Sequence, residues 1–187
     1  MNTDLSLLKR IYIIGTSGCG KTTLGRQLAE ALRCEHRQLD EFYWNPGWQP
    51  VENEVFLERL NAFVAQDSWI LDGNFRRYHP YILPRATMII WLDYSFPRIM
   101  YRIIKRTFVR SVKKEQLYNG NFETIRKGFF SLDSIILWAV KTFGQHRRVY
   151  PELERERKAA GEVFIRFSHP RQAEEFLVKI QDKENYT

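Results

Sequence analysis

Gly15-Thr16-Ser17-Gly18-Cys19-Gly20-Lys21-Thr22 is the stretch that decides the architecture. It fits the spacing G-x-x-x-x-G-K-[ST], and its flanks are the ones that spacing requires. Before it, Lys9-Arg10-Ile11-Tyr12-Ile13-Ile14 is a short β-branched apolar run that reads as a buried strand. After it, Leu24, Leu28, Ala31 and Leu32 fall at helical spacing between Lys21 and Leu32. Glycines let a loop so placed wrap an anion with its backbone N–H groups, and the following helix adds the positive end of its dipole. Lys21 is then set to reach the β- and γ-phosphates, and the Thr22 hydroxyl to ligate a divalent cation. The expected ligand is a nucleoside triphosphate, ATP with Mg²⁺. It would be held by Gly15, Thr16, Ser17, Gly18, Cys19, Gly20, Lys21, Thr22 and Thr23. Cys19 is expected to turn its small side chain away from the phosphates.

Outward from this loop, strands and helices alternate. Gln38-Leu39-Asp40 reads as the end of a second strand, Trp69-Ile70-Leu71-Asp72-Gly73 as a third, residues 87–92 as a fourth and 162–167 as a fifth. Helical spacing covers 51–65, 96–109, 129–143 and 171–180. Alternation of this kind predicts an α/β fold of the P-loop type: a five-stranded parallel sheet with helices on both faces. The whole chain, residues 1–187, reads as a single domain with a small lid near 107–127. Ligands of such sheets gather at the carboxyl ends of the strands. Asp40, Asp72 and Asp93 are expected there, beside the phosphate loop.

Charge is regional. The chain carries +7, yet residues 98–148 hold twelve Lys/Arg against three acids, a local +9, which leaves −2 for the rest. Such a region attracts polyanions: triphosphates, nucleic acid or an anionic membrane surface. The most apolar stretch, 129–143, is too short to span a bilayer and is interrupted by Asp133 and Lys141, so no membrane role is expected. The two cysteines, Cys19 and Cys34, make no metal-like or disulfide spacing, which fits a reducing cytoplasm. His36, His79, His146 and His169 show no metal-ligand spacing and read as surface or packing residues.

The phosphate loop, the segment Trp69 to Arg76 and the segment Leu92-Asp93 to Arg106 resemble the adenylate kinase-like group of P-loop kinases. Leu39-Asp40 followed by Trp44-Asn45-Pro46-Gly47-Trp48, the Asp72-Gly73-Asn74 turn and the aromatic, basic final third resemble the bacterial topology modulation proteins more closely. The resemblance implies roles. Asp72 matches an aspartate that holds magnesium-bound water, so Thr22 and Asp72 are the implied metal pair. Arg76 matches an arginine that touches the phosphate in transfer. Arg102 and Arg106 match arginines at the start of a lid that closes on the triphosphate. Asp93 is implied to be structural.

The chain departs from nucleotide-accepting kinases at one place. From Gln38 to Glu58, where an acceptor would sit, there is no Lys or Arg, but there are Asp40, Glu41, Glu52, Glu54 and Glu58 with Tyr43, Trp44 and Trp48. Such a segment suits a hydroxyl-bearing or nucleoside-like acceptor better than a phosphorylated one, unless Arg76 and Arg77 do all the phosphate binding. With such an acceptor, Asp40 is the base that orients the attacking hydroxyl. The expected reaction is transfer of the γ-phosphoryl group of Mg·ATP to a small acceptor: a nucleoside, a nucleotide or another hydroxyl-bearing molecule. As alternatives, the chain would be a nucleic-acid-associated ATPase or regulator affecting DNA topology through residues 98–148, or a nucleotide-binding module without turnover.

Overall fold

The computed structural model describes residues 5–113 and 135–184. Strand β1 (Arg10–Gly15) runs into the phosphate loop and helix α1 (Lys21–Leu32). Then come β2 (Glu35–Gln38), the short helix α2 (Leu39–Tyr43), a small antiparallel pair β3 (Trp44–Asn45) and β4 (Gln49–Pro50), and α3 (Asn53–Val64). β5 (Trp69–Asp72), a 3-10 turn (Arg76–Tyr78), α4 (His79–Ile82), β6 (Met88–Leu92) and α5 (Phe96–Lys113) follow. The remainder is α6 (Ile135–Ala159), β7 (Val163–Phe167) and α7 (Pro170–Glu184). The main sheet is parallel in the order β2-β5-β1-β6-β7. The strand feeding the phosphate loop is therefore central, and Asp72 ends the strand beside it.

Alternation along β1 divides the core. Ile11 and Ile13 point to one face, where they pack with Leu24 and Leu28 of α1, Ile99 and Ile103 of α5 and Leu177 and Ile180 of α7. Tyr12 and Ile14 point to the other, with Phe56 and Leu60 of α3, Ile82 of α4 and Tyr150 and Leu153 of α6. A sheet covered on both faces reads as continuous apolar strands, and every residue of β5 and β6 is buried. Helix α6 contributes Ala139 to the first layer and Tyr150 to the second, so it touches both.

Two expectations are corrected, and a third lies mostly outside the described residues. The second strand closes at Gln38, and Asp40 lies in the first turn of α2. The reason is pairing: β2 bonds only to β5, their register ends at Gln38 opposite Asp72, and β5 turns away at Gly73. With no ladder to join, Leu39 and Asp40 start a helix, where an acid in the first turn is favourable. The helix expected at 129–143 is helical from Ile135 and runs on to Ala159, with Pro151 inside it; residues 129–134 lie outside the described residues. Of the lid expected at 107–127, residues 107–113 continue α5, and the rest also lies outside the described residues.

Two histidines join the interior. His79 meets the Tyr12 ring edge-on at 5.7 Å, and its Nε2 is buried without a hydrogen-bond partner. Burial first, then the charges of Arg76 and Arg157, lower its pKa to about 4. His146 is lowered to about 4 by burial, then by Lys21 and Arg76. Both folded-state values lie below the unfolded value, so the unfolded chain takes up these protons first. The stability they allow is complete above about pH 6.5 and is lost as pH falls toward 4, by about 1.4 kcal/mol per pH unit for each histidine at most. A His79→Phe variant is accordingly expected to show a shallower fall in Tm than the wild type between pH 7 and 4.5. Parallel curves in thermal melts would show that His79 does not contribute.

Candidate active site

The phosphate loop is held in shape from below. Gly15 has φ 145°, and a Cβ there would sit 2.7 Å from the Leu92 carbonyl oxygen, so only glycine fits beside β6. Asn74, in the turn after β5, accepts a hydrogen bond from Gly15 N–H at 3.1 Å and donates from Nδ2 to Gly15 C=O at 2.5 Å. The Tyr150 hydroxyl donates to the same Asn74 Oδ1 at 3.2 Å. His146 stacks on Tyr150 with rings 8° apart and places Nδ1 3.2 Å from Thr16 Oγ1. Helix α6 thus braces both the first residues of the loop and the Asp72-Gly73-Asn74 turn. Cys19 is fully buried among core side chains, and burial raises its pKa against the smaller opposing pull of Lys21 and Arg102. Its side chain thus packs into the core beneath the loop.

Above the loop lies a cleft of about 380 Å³. Loop residues from Ser17 to Thr23 form its floor, Gln38, Asp40 and Asp72 one end, and Arg102 and Arg106 its wall; it extends to Pro170 and Glu174 on α7. Lys21 Nζ folds back to donate to Gly15 C=O at 2.8 Å and to Thr16 C=O at 3.4 Å. Arg102 donates to Cys19 C=O at 2.9 Å with its guanidinium 5.5 Å from the Tyr94 ring centre, which fixes that cation against the loop. Arg98 and Arg102 are neighbours around a second, more open recess with Tyr101, His169 and Arg171.

The acidic end is built from oxygens. Thr22 Oγ1 lies 2.8 Å from Gln38 Oε1 and 3.4 Å from Asp72 Oδ1. Asp40 lines the same cleft, and Trp44 Nε1–H donates to its Oδ1 at 3.3 Å. Burial raises the Asp40 pKa, the Asp72 charge adds to the rise, and Lys21 opposes it. Hydroxyl, carboxamide and two carboxylates make a hard, all-oxygen donor set, the chemistry that Mg²⁺ selects, and a cation between the carboxylates would relieve their repulsion. Among the described residues no group of three His, Cys, Asp or Glu could hold a metal by itself. Phosphate oxygens would have to complete the shell, as is usual for Mg²⁺.

Not every candidate converges here. Asp93 is buried, but its oxygens are taken by Arg147 Nε at 3.0 Å and by Arg166, an ion pair that ties α6 to β7. The cleft therefore gathers two of the three aspartates expected at strand ends, Asp40 and Asp72, and Arg147 faces Asp93. Arg76 is exposed in the 3-10 turn and does not line the cleft; its charge is felt at His146 and Tyr150. Trp44 and Trp48 are half-buried and meet edge-to-face at 5.6 Å, while Tyr43 packs on Phe56 and Phe75. The aromatic segment is thereby anchored to α3, with Trp44 turned to Asp40. His36 is the residue the sequence reading passed over: its Nε2 lies 2.8 Å from Asp72 Oδ2. Its alternation with Gln38 along one strand, pointing to one face with Asp72, was the available signal.

Comparison with known proteins agrees with this picture. No protein-family model matches the chain. Over 77 residues it is 38% identical to a putative adenylate kinase of Pyrococcus furiosus, a match covering 37% of this chain and 43% of that protein. Over 65 residues it is 32% identical to shikimate kinase 2 of Sodalis glossinidius, covering 35% and 37% respectively. The matches thus span about two fifths of these curated relatives. Among solved structures, the shikimate kinase of Acinetobacter baumannii in complex with shikimate superposes with a TM-score of 0.58 at 18% identity, over 92% of this chain and 90% of that one. The chain has the α/β fold of the P-loop kinases, a five-stranded parallel sheet flanked by helices.

Proposed function

We propose that the protein is a phosphotransferase that moves the γ-phosphoryl group of Mg·ATP to the hydroxyl of a small acceptor. One observation carries this reading: a single cleft brings the phosphate loop, two carboxylates and two arginines together. The loop N–H groups and Lys21 would bind the phosphates, and the base would lie toward Pro170 and Glu174, beside Arg102. Thr22 and Asp72 would hold Mg²⁺, with Gln38 and Asp40 near; the ion would neutralise charge on the β- and γ-phosphates. Asp40 would accept the proton of the attacking hydroxyl, and its raised pKa makes it a better acceptor than an ordinary carboxylate. Such chemistry is positioning and charge neutralisation, with no covalent intermediate on the protein.

An acceptor with a free hydroxyl and no phosphate of its own fits best. The segment from Gln38 to Glu58 carries no cation of its own. Arg37 and Arg59, which flank it in sequence, are engaged with Glu35 and Glu41 and with the Phe42 carbonyl, and Arg77 packs over the rings of Tyr43 and Tyr78. The resemblance to the topology modulation proteins read from the sequence alone would be compatible with this chemistry and names no acceptor. The nucleic-acid reading has less behind it, because Arg102 turns to the loop and Arg147 to Asp93. Two free cysteines are consistent with a reducing cytoplasm.

The test is a screen of nucleosides, nucleoside monophosphates and small polyols, read as ADP formed and acceptor phosphorylated. The expected result is acceptor-dependent ADP with a nucleoside or polyol. ADP formed only with duplex DNA would instead favour the nucleic-acid reading. The arginines of α5 add a graded prediction. Arg102→Ala or Arg106→Ala should slow turnover tenfold or more, about 1.4 kcal/mol of transition-state stabilisation, whereas Arg98→Ala should change it by about twofold or less. Steady-state ADP release under saturating ATP measures this, and equal losses at all three positions would remove the assignment of Arg102 and Arg106.

A further inference from the structure

Helix α1 carries a glycine where its buried stripe meets the edge strand. A Cβ on Gly25 would lie 2.5 Å from His36 Nε2 and 2.7 Å from His36 Cδ2. The imidazole fills the space a side chain would need. It does so with its own side chain 8% exposed and that of its partner, Asp72, 4% exposed. The Asp72 carboxylate has two sides: Oδ2 is 2.8 Å from His36 Nε2, and Oδ1 is 3.4 Å from Thr22 Oγ1 in the cleft. An ionised carboxylate only accepts, so Nε2 carries the proton of this bond. The last torsion of an aspartate is broad and roughly two-fold. Without a donor on Oδ2, little would fix which way the carboxylate plane faces.

We infer that His36 is a positioning residue for the cation end of the cleft: it anchors Oδ2 of Asp72 and so presents Oδ1 toward Thr22, and residue 25 is glycine to admit its ring. The inference rests on the reading that Mg·ATP is the substrate and Asp72 serves its cation. Groups that orient a ligating carboxylate typically matter by about 10- to 100-fold in metal affinity or activity. His36 does not line the cleft, so its removal acts through Asp72.

The experiment measures ATP affinity by calorimetry with EDTA and across a magnesium titration, with a thermal melt of each variant. For His36→Leu the metal-free affinity should stay within about twofold of the wild type, while the magnesium needed for half of the full effect rises tenfold or more. His36→Gln keeps an N–H donor near the Nε2 position and should restore most of the magnesium response. Gly25→Ala leaves His36 in the chain but displaces its ring, and the helix preference of alanine offsets part of that cost; it should reproduce the magnesium defect in a protein that still melts cooperatively, which keeps the test decisive if His36→Leu folds poorly. A normal magnesium response in both His36→Leu and Gly25→Ala overturns the inference. So does a His36→Gln variant as impaired as His36→Leu, or an equal loss with and without magnesium. If the wild type itself shows no magnesium effect, the Mg·ATP reading fails and the inference with it, an outcome distinct from the others.

Discussion

Lys21→Ala is expected to weaken ATP binding about a hundredfold or more while leaving the fold intact. Among the described residues, Lys21 Nζ donates hydrogen bonds to the carbonyls of Gly15 and Thr16, the two residues that open the loop. These bonds hold the ammonium over the site where phosphate oxygens would otherwise receive it. Hydrogen bonds to charged groups contribute about 1.5–3 kcal/mol each. Losing the point charge and its contacts on two phosphates therefore amounts to roughly 2.7 kcal/mol or more, which is a hundredfold in Kd. The rest of the architecture does not depend on Lys21: α1 is anchored by Leu24, Leu28 and Ala29, and the loop by Asn74. Calorimetric titration with ATP and a thermal melt separate the two effects. An unchanged affinity would remove the basis for reading this loop as a triphosphate site.

Asp40→Asn should lower turnover by about a hundredfold or more, with ATP affinity held within about threefold. A general base contributes roughly 10²- to 10⁴-fold. Asparagine has the same shape and keeps an oxygen for Trp44 Nε1–H, so the bond at 3.3 Å and the edge-to-face Trp44–Trp48 contact can persist. What it loses is the ability to take a proton. Losing one charge weakens the attraction for a cation, and removing the repulsion with Asp72 partly offsets that loss. The measurement is kcat with the acceptor identified in the screen, alongside ATP titration of the same sample. Full turnover in Asp40→Asn would assign the proton to another acceptor and reduce Asp40 to a residue of the α2 helix start.

The parts of the molecule visible in the sequence were those governed by local rules. Four apolar runs gave four strands of the main sheet, and α1 was bounded at Lys21 and Leu32 because a loop glycine opens it and its apolar period stops there. Asp72 beside the phosphate strand followed from the usual order of parallel sheets, and β5 does pair with β1. What was hidden depended on partners distant in sequence. Strand β2 ends where β5 leaves it, which nothing in Gln38-Leu39-Asp40 records. Helix α6 runs through Gly144 and Pro151, both weak helix residues, because Tyr150 and Leu153 have a core to enter on the far side of the sheet. His36 carried no motif; its importance comes from Gly25, eleven positions earlier in the chain, and Asp72, thirty-six later. Asp93 resembled Asp40 and Asp72 in its strand-end position, and only the arrival of Arg147 and Arg166 separates it from them.

The Asn74 clasp places a restriction on how this sequence can drift. One primary amide answers both backbone groups of Gly15 and receives the Tyr150 hydroxyl besides. Aspartate at position 74 would keep the acceptor but lose the donor, leaving the Gly15 carbonyl without it and setting a charge in a partly buried place. Serine or threonine would be too short to span the same two groups. Phenylalanine at position 150 would keep the ring beside His146 and drop one donor to Asn74 Oδ1, a milder change. Positions 15, 74 and 150 thus form a small physically coupled set whose members are 59 and 76 residues apart along the chain. In a library randomised at all three, functional survivors should retain the pair at 15 and 74 nearly without exception and relax first at 150.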